Sequence, residues 1–121
     1  MPLHVSTATP EAIATTLESS PCQKPSYLVV YASLMDGRSW CGDCRDAETF
    51  VNAKFADSPH VVTVVYAGQR EEWRQTDNPW RQAPFSITAL PTIVKVLDEK
   101  WEYLVEGDVY DQEKLDAFVK A

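Results

Sequence analysis

The sequence predicts an α/β fold in which strands alternate with helices in the order βαβαβαββα. Three observations carry this. Tyr27-Leu28-Val29-Val30-Tyr31 and Val61-Val62-Thr63-Val64-Val65-Tyr66 are continuous apolar runs rich in β-branched and aromatic residues, as in strands covered on both faces. Between them Ala47, Val51 and Phe55 recur every four residues with Phe50 beside them, which is helical spacing over Cys44 to about Ala56. Near the end, Pro91 to Leu97 and Trp101 to Val105 flank the turn Asp98-Glu99-Lys100, so the last two strands form a hairpin ahead of a final helix.

The elements follow in order. Leu3 to Ser6 reads as a short edge strand. Thr9-Pro10-Glu11 is a helix start, with Thr9 as N-cap, proline in the first turn and an acid favourable to the dipole. Ile13 and Leu17 lie four apart on its inner face, and Ser19-Ser20-Pro21 ends it. Cys22 sits in a turn between Pro21 and Pro25, with no basic cluster or second cysteine nearby, and is expected to be a bystander thiol. Asp36-Gly37 marks a turn within Leu34 to Ser39. Gly68 to Thr76 is polar, and Trp73 within it is expected to pack a surface segment rather than stack on a ligand. Asn78-Pro79 opens a short helix that Pro84 stops. The alternation Trp101, Tyr103, Val105 predicts one covered face. Gly107 breaks that pattern, and Asp111 caps a last helix that turns Leu115, Phe118 and Val119 inward.

The 121 residues suffice for one domain spanning 1–121, and 45% apolar content predicts a folded core. A formal charge of −7, from 18 acidic and 11 basic residues, excludes nucleic acid and anionic membrane as expected partners. No run approaches the roughly 20 apolar residues of a membrane span. Met1 to Ser6 has neither the basic nor the apolar part of a signal peptide. Three cysteines without an export signal do not suggest a disulfide scaffold, so a reducing, cytoplasmic setting is expected.

The chemistry concentrates in Ser39-Trp40-Cys41-Gly42-Asp43-Cys44. Two cysteines with two residues between them close a structural disulfide ring, hold half a metal site, or cycle between dithiol and disulfide. The first is disfavoured in a reducing compartment. The second needs four ligands, and Cys22, His4 and His60 are not paired at ligand spacing, so no metal is expected. The third suits the location. Cys41 stands where a strand hands over to a helix N-terminus, whose free N–H groups and dipole favour a thiolate. Cys41 is then the attacking thiolate, and Cys44, one turn inside the helix, resolves the mixed disulfide.

The motif with its preceding tryptophan, and Ala89-Leu90-Pro91-Thr92 opening a later strand, resemble the thioredoxin superfamily. The CxDC form and Asp77-Asn78-Pro79-Trp80-Arg81 narrow the resemblance to the cytosolic thioredoxin domain-containing protein 17 family. It implies a thioredoxin fold, a mixed sheet with helices on both faces. It also implies a cis Leu90–Pro91 bond, exposure of Cys41 beside Trp40, and a substrate groove bounded by Ala89, Leu90, Pro91 and the segment at Gly107. No bound cofactor is implied. The resemblance further implies electrons from NADPH through thioredoxin reductase, and cystine-sized disulfides, S-nitrosothiols or persulfides and selected protein disulfides as substrates. A monomer is expected.

This chain departs from the family in two ways. Gly42 replaces the usual proline, and Tyr27 to Ala32 lacks the buried aspartate of ordinary thioredoxins, leaving Asp43 as the candidate for proton transfer. Leu34 to Ser39 is longer than the corresponding thioredoxin link and is expected to form a lip beside Cys41. Asp36, Asp43, Glu106 and Asp108 are expected to line the groove without partners and to disfavour bulky acidic disulfides. The alternative is a redox-inert binding module of the same fold, although such modules usually lose a cysteine or the tryptophan kept here.

Overall fold

The computed structural model describes residues 3–19, 25–35, 37–39, 41–56, 60, 62–98 and 100–119. The chain runs β1 (Leu3–Val5), α1 (Pro10–Glu18), β2 (Ser26–Tyr31), β3 (Leu34–Met35), β4 (Arg38–Ser39), α2 (Gly42–Phe55), β5 (Val62–Tyr66), α3 (Arg70–Arg74), β6 (Thr92–Leu97), β7 (Lys100–Val105) and α4 (Gln112–Phe118). Single 3-10 turns stand at Pro79–Arg81 and Glu106–Tyr110. With the small β3–β4 hairpin set aside, the expected order βαβαβαββα is the observed one. Five strands form one mixed sheet in the order β1-β5-β2-β6-β7. β1, β5 and β2 are parallel, while β6 runs antiparallel to β2 and β7 antiparallel to β6.

Central position explains composition. β2 lies between β5 and β6, and Tyr27 through Ala32 are all buried, so this strand has no polar face. Tyr27 packs its ring on Phe55 of α2 and Phe118 of α4, which places both helices on one face of the sheet. α1 packs against β2 and β6 through Ile13, Ala14 and Leu17. Its expected cap is present: the Thr9 hydroxyl accepts the Ala12 N–H at 3.2 Å. At the far end of the chain Asp111 caps α4 by accepting the Lys114 N–H, and Leu115 and Val119 are buried.

Several elements differ from expectation for local physical reasons. The stretch around Trp73 contains α3, and Trp73 is buried under the Arg81 guanidinium, 4.3 Å from its ring centre. The Asn78-Pro79 helix is only one 3-10 turn. Asn78 caps it by accepting the Trp80 N–H, but its amide is drawn inward to donate to the carbonyls of Ala67 and Glu72. The chain then continues irregularly, burying Phe85 and Ile87, with a cis Ala83–Pro84 bond that the sequence did not announce. On β7 the buried residue is Leu104, opposite Ile93, rather than the Trp101, Tyr103, Val105 series. Tyr103 is exposed and instead donates its hydroxyl to the Phe85 carbonyl, because β7 is an edge strand with one flank open.

Candidate active site

The register of the sheet builds the site. Val30 pairs with Thr92, so Pro91 lies level with the C-terminal end of β2, where the chain leaves for Cys41. Leu90–Pro91 is cis, as expected. The Cys41 thiol donates toward the Leu90 carbonyl at 3.7 Å, which joins the motif to this turn across 49 residues of sequence.

α2 begins at Gly42, two residues before the expected start, because Cys41 itself is the N-cap: its sulfur accepts the Cys44 N–H at 3.3 Å. Cys41 is half-buried and Cys44 is buried, and both are free thiols. The Cys41 pKa is lowered to about 7. The Cys44 side chain bonded to its sulfur is the main cause, and the N–H groups of Cys44 and Asp43 add to it. Burial and the Asp43 carboxylate push the other way. Cys44 has a raised pKa, first from its bond to Cys41 and then from burial. Ala32 N–H, 3.4 Å from its sulfur, and Ser39 pull it back.

Gly42 has no special backbone need. A Cβ there would meet only the Arg45 guanidinium, at an ordinary 3.7 Å. Arg45 itself is occupied beneath the motif, donating from Nη1 to the Ser39 carbonyl at 2.7 Å. The expected lip is the β3–β4 hairpin, with Leu34 and Met35 exposed. Its base is held on three sides. Ser39 Oγ donates to the Ala32 carbonyl at 2.8 Å, and Gln69 Nε2 donates to the Leu34 carbonyl at 2.7 Å. Ser33 and Gly68 exchange two bonds, Ser33 N–H to the Gly68 carbonyl and Gly68 N–H to Ser33 Oγ.

The opposite rim is the 3-10 turn Glu106–Tyr110. Glu106 N–H donates to the Pro91 carbonyl at 2.7 Å, and the Tyr110 hydroxyl donates to an Asp43 carboxylate oxygen at 2.9 Å. Gly107 lies beside that hydroxyl. Thus Cys41, Cys44, Gly42, Asp43, Leu90, Pro91 and the Gly107–Asp108 segment converge. One expectation needs correction. Asp43 and Asp108 do not stand without partners: Asp43 holds Tyr110, and Asp108 pairs with Lys114 at 2.9 Å. The Asp43 carboxylate also acts on Cys41, pushing its pKa up. Ala89 is half-buried, and its carbonyl is taken by the Thr92 hydroxyl at 2.7 Å. Trp40, Asp36 and Cys22 lie outside the described residues. Among the described residues no three His, Cys, Asp or Glu side chains converge on a metal position, and no helix is long and apolar enough to cross a membrane. Sequence reasoning missed Tyr110, Ser39 and Arg45. The last two flank the motif directly, while Tyr110 gave no local signal.

The family model "Thioredoxin domain-containing protein 17-like, thioredoxin domain" matches residues 7–121. The chain belongs to this family. Among curated relatives, the thioredoxin-like protein Clot of Arabidopsis thaliana is 39% identical over 62 residues, covering 49% of this chain and 46% of that protein. The Clot protein of Oryza sativa subsp. japonica is 30% identical over 97 residues, covering 69% and 66%. A thioredoxin domain-containing protein of Schizosaccharomyces pombe is 29% identical over 118 residues, covering 90% and 94%. The chain spans about half to two-thirds of the length of the two Clot proteins. Among solved structures, Fasciola hepatica thioredoxin superposes with a TM-score of 0.64 at 23% identity, covering 95% of this chain and 94% of that one. Thioredoxin NaTrxh from Nicotiana alata gives 0.63 at 19% identity, covering 98% and 93%. The fold is therefore a thioredoxin fold.

Proposed function

We propose that this chain is a thiol–disulfide oxidoreductase that reduces disulfides, with Cys41 as nucleophile and Cys44 as resolving thiol. The observation that carries the reading is the placement of Cys41: it caps α2 through its own sulfur, has its pKa lowered to about 7, and faces the Leu90 carbonyl at the cis-proline turn. A thiol in that position is substantially ionised at neutral pH, and the thiolate is the form that attacks. The thiolate attacks one sulfur of the substrate, and the other sulfur leaves. Cys44 then attacks Cys41, the second substrate thiol departs, and the protein is left with a Cys41–Cys44 disulfide. Electrons from NADPH through thioredoxin reductase return it to the dithiol. We assign it small disulfides such as cystine, S-nitrosothiols or persulfides, and selected protein disulfides, in the cytoplasm, and action as a monomer.

NADPH consumption with thioredoxin reductase, with cystine and a compact protein disulfide compared side by side, tests this. Turnover of cystine that disappears in Cys41→Ser supports the assignment. Absence of turnover with either substrate overturns it in favour of a binding module.

A further inference from the structure

The resolving step poses a problem that the proposed function leaves open. Cys44 must ionise to attack, yet it is buried: its bond to Cys41, the main cause of its raised pKa in the dithiol, is gone once Cys41 holds the substrate sulfur, but burial remains and still disfavours the thiolate. Among the described residues, two groups act on its sulfur from outside α2: the Ala32 N–H at 3.4 Å and the hydroxyl of Ser39. Both belong to one small assembly. Ala32 gives its N–H to Cys44 and its carbonyl to Ser39 Oγ at 2.8 Å, so a single residue at the end of β2 holds the hydroxyl and the thiol side by side. Ser39 is buried, and its carbonyl is pinned by Arg45 of α2. Its position is therefore set from β2 on one side and α2 on the other.

We infer that Ser39 is a further catalytic residue, whose hydroxyl turns from the Ala32 carbonyl to the Cys44 sulfur and stabilises the thiolate that resolves the mixed disulfide. A serine hydroxyl carries one donor hydrogen that rotates freely between acceptors. In the dithiol state the Ala32 carbonyl takes it. Once Cys44 carries charge, the sulfur is the stronger acceptor, and a bond to a charged acceptor is worth more than a neutral one. Ala32 N–H already points at the same sulfur, so the thiolate gains two donors at a buried position. The step balances as follows. Cys44 loses its proton to solvent, and its sulfur bonds to Cys41 Sγ. The bond from Cys41 Sγ to the substrate sulfur breaks, and the electron pair leaves with that sulfur, which takes up a proton where its basicity requires one. The protein loses two electrons and the substrate gains them. Among the described residues, the titratable groups interacting with Cys44 are Cys41 on its own helix and Tyr31 of β2, whose pKa is pushed up by burial and by Glu48 one turn further along α2, so that Tyr31 stays neutral throughout.

The inference rests on the proposed function, and one experiment separates the two. The reduced protein is mixed with a nitrobenzoate disulfide whose released thiolate is coloured. Attack by Cys41 releases one thiolate in a phase that depends on reagent concentration, and attack by Cys44 releases the second in a phase that does not. A wild-type protein without the second phase would sink the oxidoreductase reading itself. With both phases present, Ser39→Ala is expected to slow the second about tenfold at pH 7, the worth of one hydrogen bond to a charged group. The first phase should stay within about twofold. Ser39→Thr keeps the hydroxyl and should restore the second phase to within about threefold of wild type. Where Ser39→Ala does not fold, Ser39→Gly deletes the same hydroxyl. Equal slowing of both phases, no slowing, or a threonine variant as slow as alanine would each overturn the role of Ser39.

Discussion

Cys41 and Cys44 are one helical turn apart, chemically identical, and hydrogen-bonded to each other as free thiols, yet their pKa values move in opposite directions. The difference is one of position relative to the helix end. Cys41 stands outside the first turn, where its sulfur collects the N–H of Cys44 and lies beside the Leu90 carbonyl. Cys44 stands inside, buried among Ala32, Ser39 and the core, where a charge has few donors and is shielded from solvent. The same dipole and the same sulfur chemistry thus give a thiol ready to attack and a thiol held in reserve. On the proposed function, the sequential order of the reaction follows from burial rather than from any difference in residue type.

The strongest way to break this comparison is to remove each sulfur in turn. Cys41→Ser should abolish turnover and alkylation near neutral pH. Cys44→Ser should retain the attack and accumulate mixed disulfides with substrate, seen as a mass increase that a reductant reverses. Trapping by Cys41→Ser instead would reverse the two roles.

A pH series sharpens it. Alkylation of the wild-type dithiol should follow a midpoint near pH 7 and stop at one modified cysteine of the motif pair. Stability should respond as well. The ordinary thiol value is 9.0, so between about 7 and 9 the unfolded chain holds a proton that folded Cys41 has lost, and stability rises with pH. Above 9 the sign changes, because folded Cys44 keeps a proton that the unfolded chain gives up, and stability then falls. Melting temperature of the reduced protein from pH 6 to 10 should therefore pass through a maximum that Cys41→Ser flattens on its acid side.

A smaller effect is expected from the carboxylate that opposes Cys41. Asp43→Asn should lower the Cys41 pKa and speed alkylation at pH 6 by about threefold, since a like charge raises a thiol's pKa. Tyr110→Phe should act in the opposite direction, because the hydroxyl at 2.9 Å damps the charge that Cys41 feels. Alkylation rates of the two variants and their combination decide this; a Tyr110→Phe effect that survives in the Asp43→Asn background would mean the hydroxyl acts by another route. The smallest change is at Gly42. Gly42→Pro places proline at the first position of α2, which its fixed φ suits, and should raise stability by about 0.4–1 kcal/mol with little change in rates. Chemical denaturation checks it.

What the sequence made legible was local. The caps at Thr9 and Asp111, the apolar runs of β2 and β5, the CxxC at a strand-to-helix junction and the proline before β6 are each written in a few adjacent residues. What it hid depends on distant partners. Tyr110 reaches Asp43 across 67 residues, and no neighbour of either announces the pairing. The β3–β4 hairpin has only two residues per strand, too few for alternation to show, and is held by Ser33, Ser39 and Gln69 side chains instead. α3 carries one apolar residue, Trp73, so its five residues give no helical period. The acids of the groove were legible as charges but not as partners, because Lys114 and Tyr110 lie in other elements.

The turn before β6 has a consequence for how a peptide is read. Its three carbonyls are unequal: Ala89 O accepts the Thr92 hydroxyl, Pro91 O accepts the Glu106 N–H, and Leu90 O has the Cys41 S–H as its donor. Proline brings no N–H of its own. When Cys41 ionises, Leu90 O loses its donor at the moment the nucleophile appears. On the proposed function, a substrate strand laid along this turn would meet one acceptor freed beside the reactive sulfur, flanked by two that are already engaged. The peptide N–H that takes it is then expected to fix which of the substrate's sulfurs lies over Cys41, and a substrate methylated at that nitrogen should lose alignment without losing any side chain.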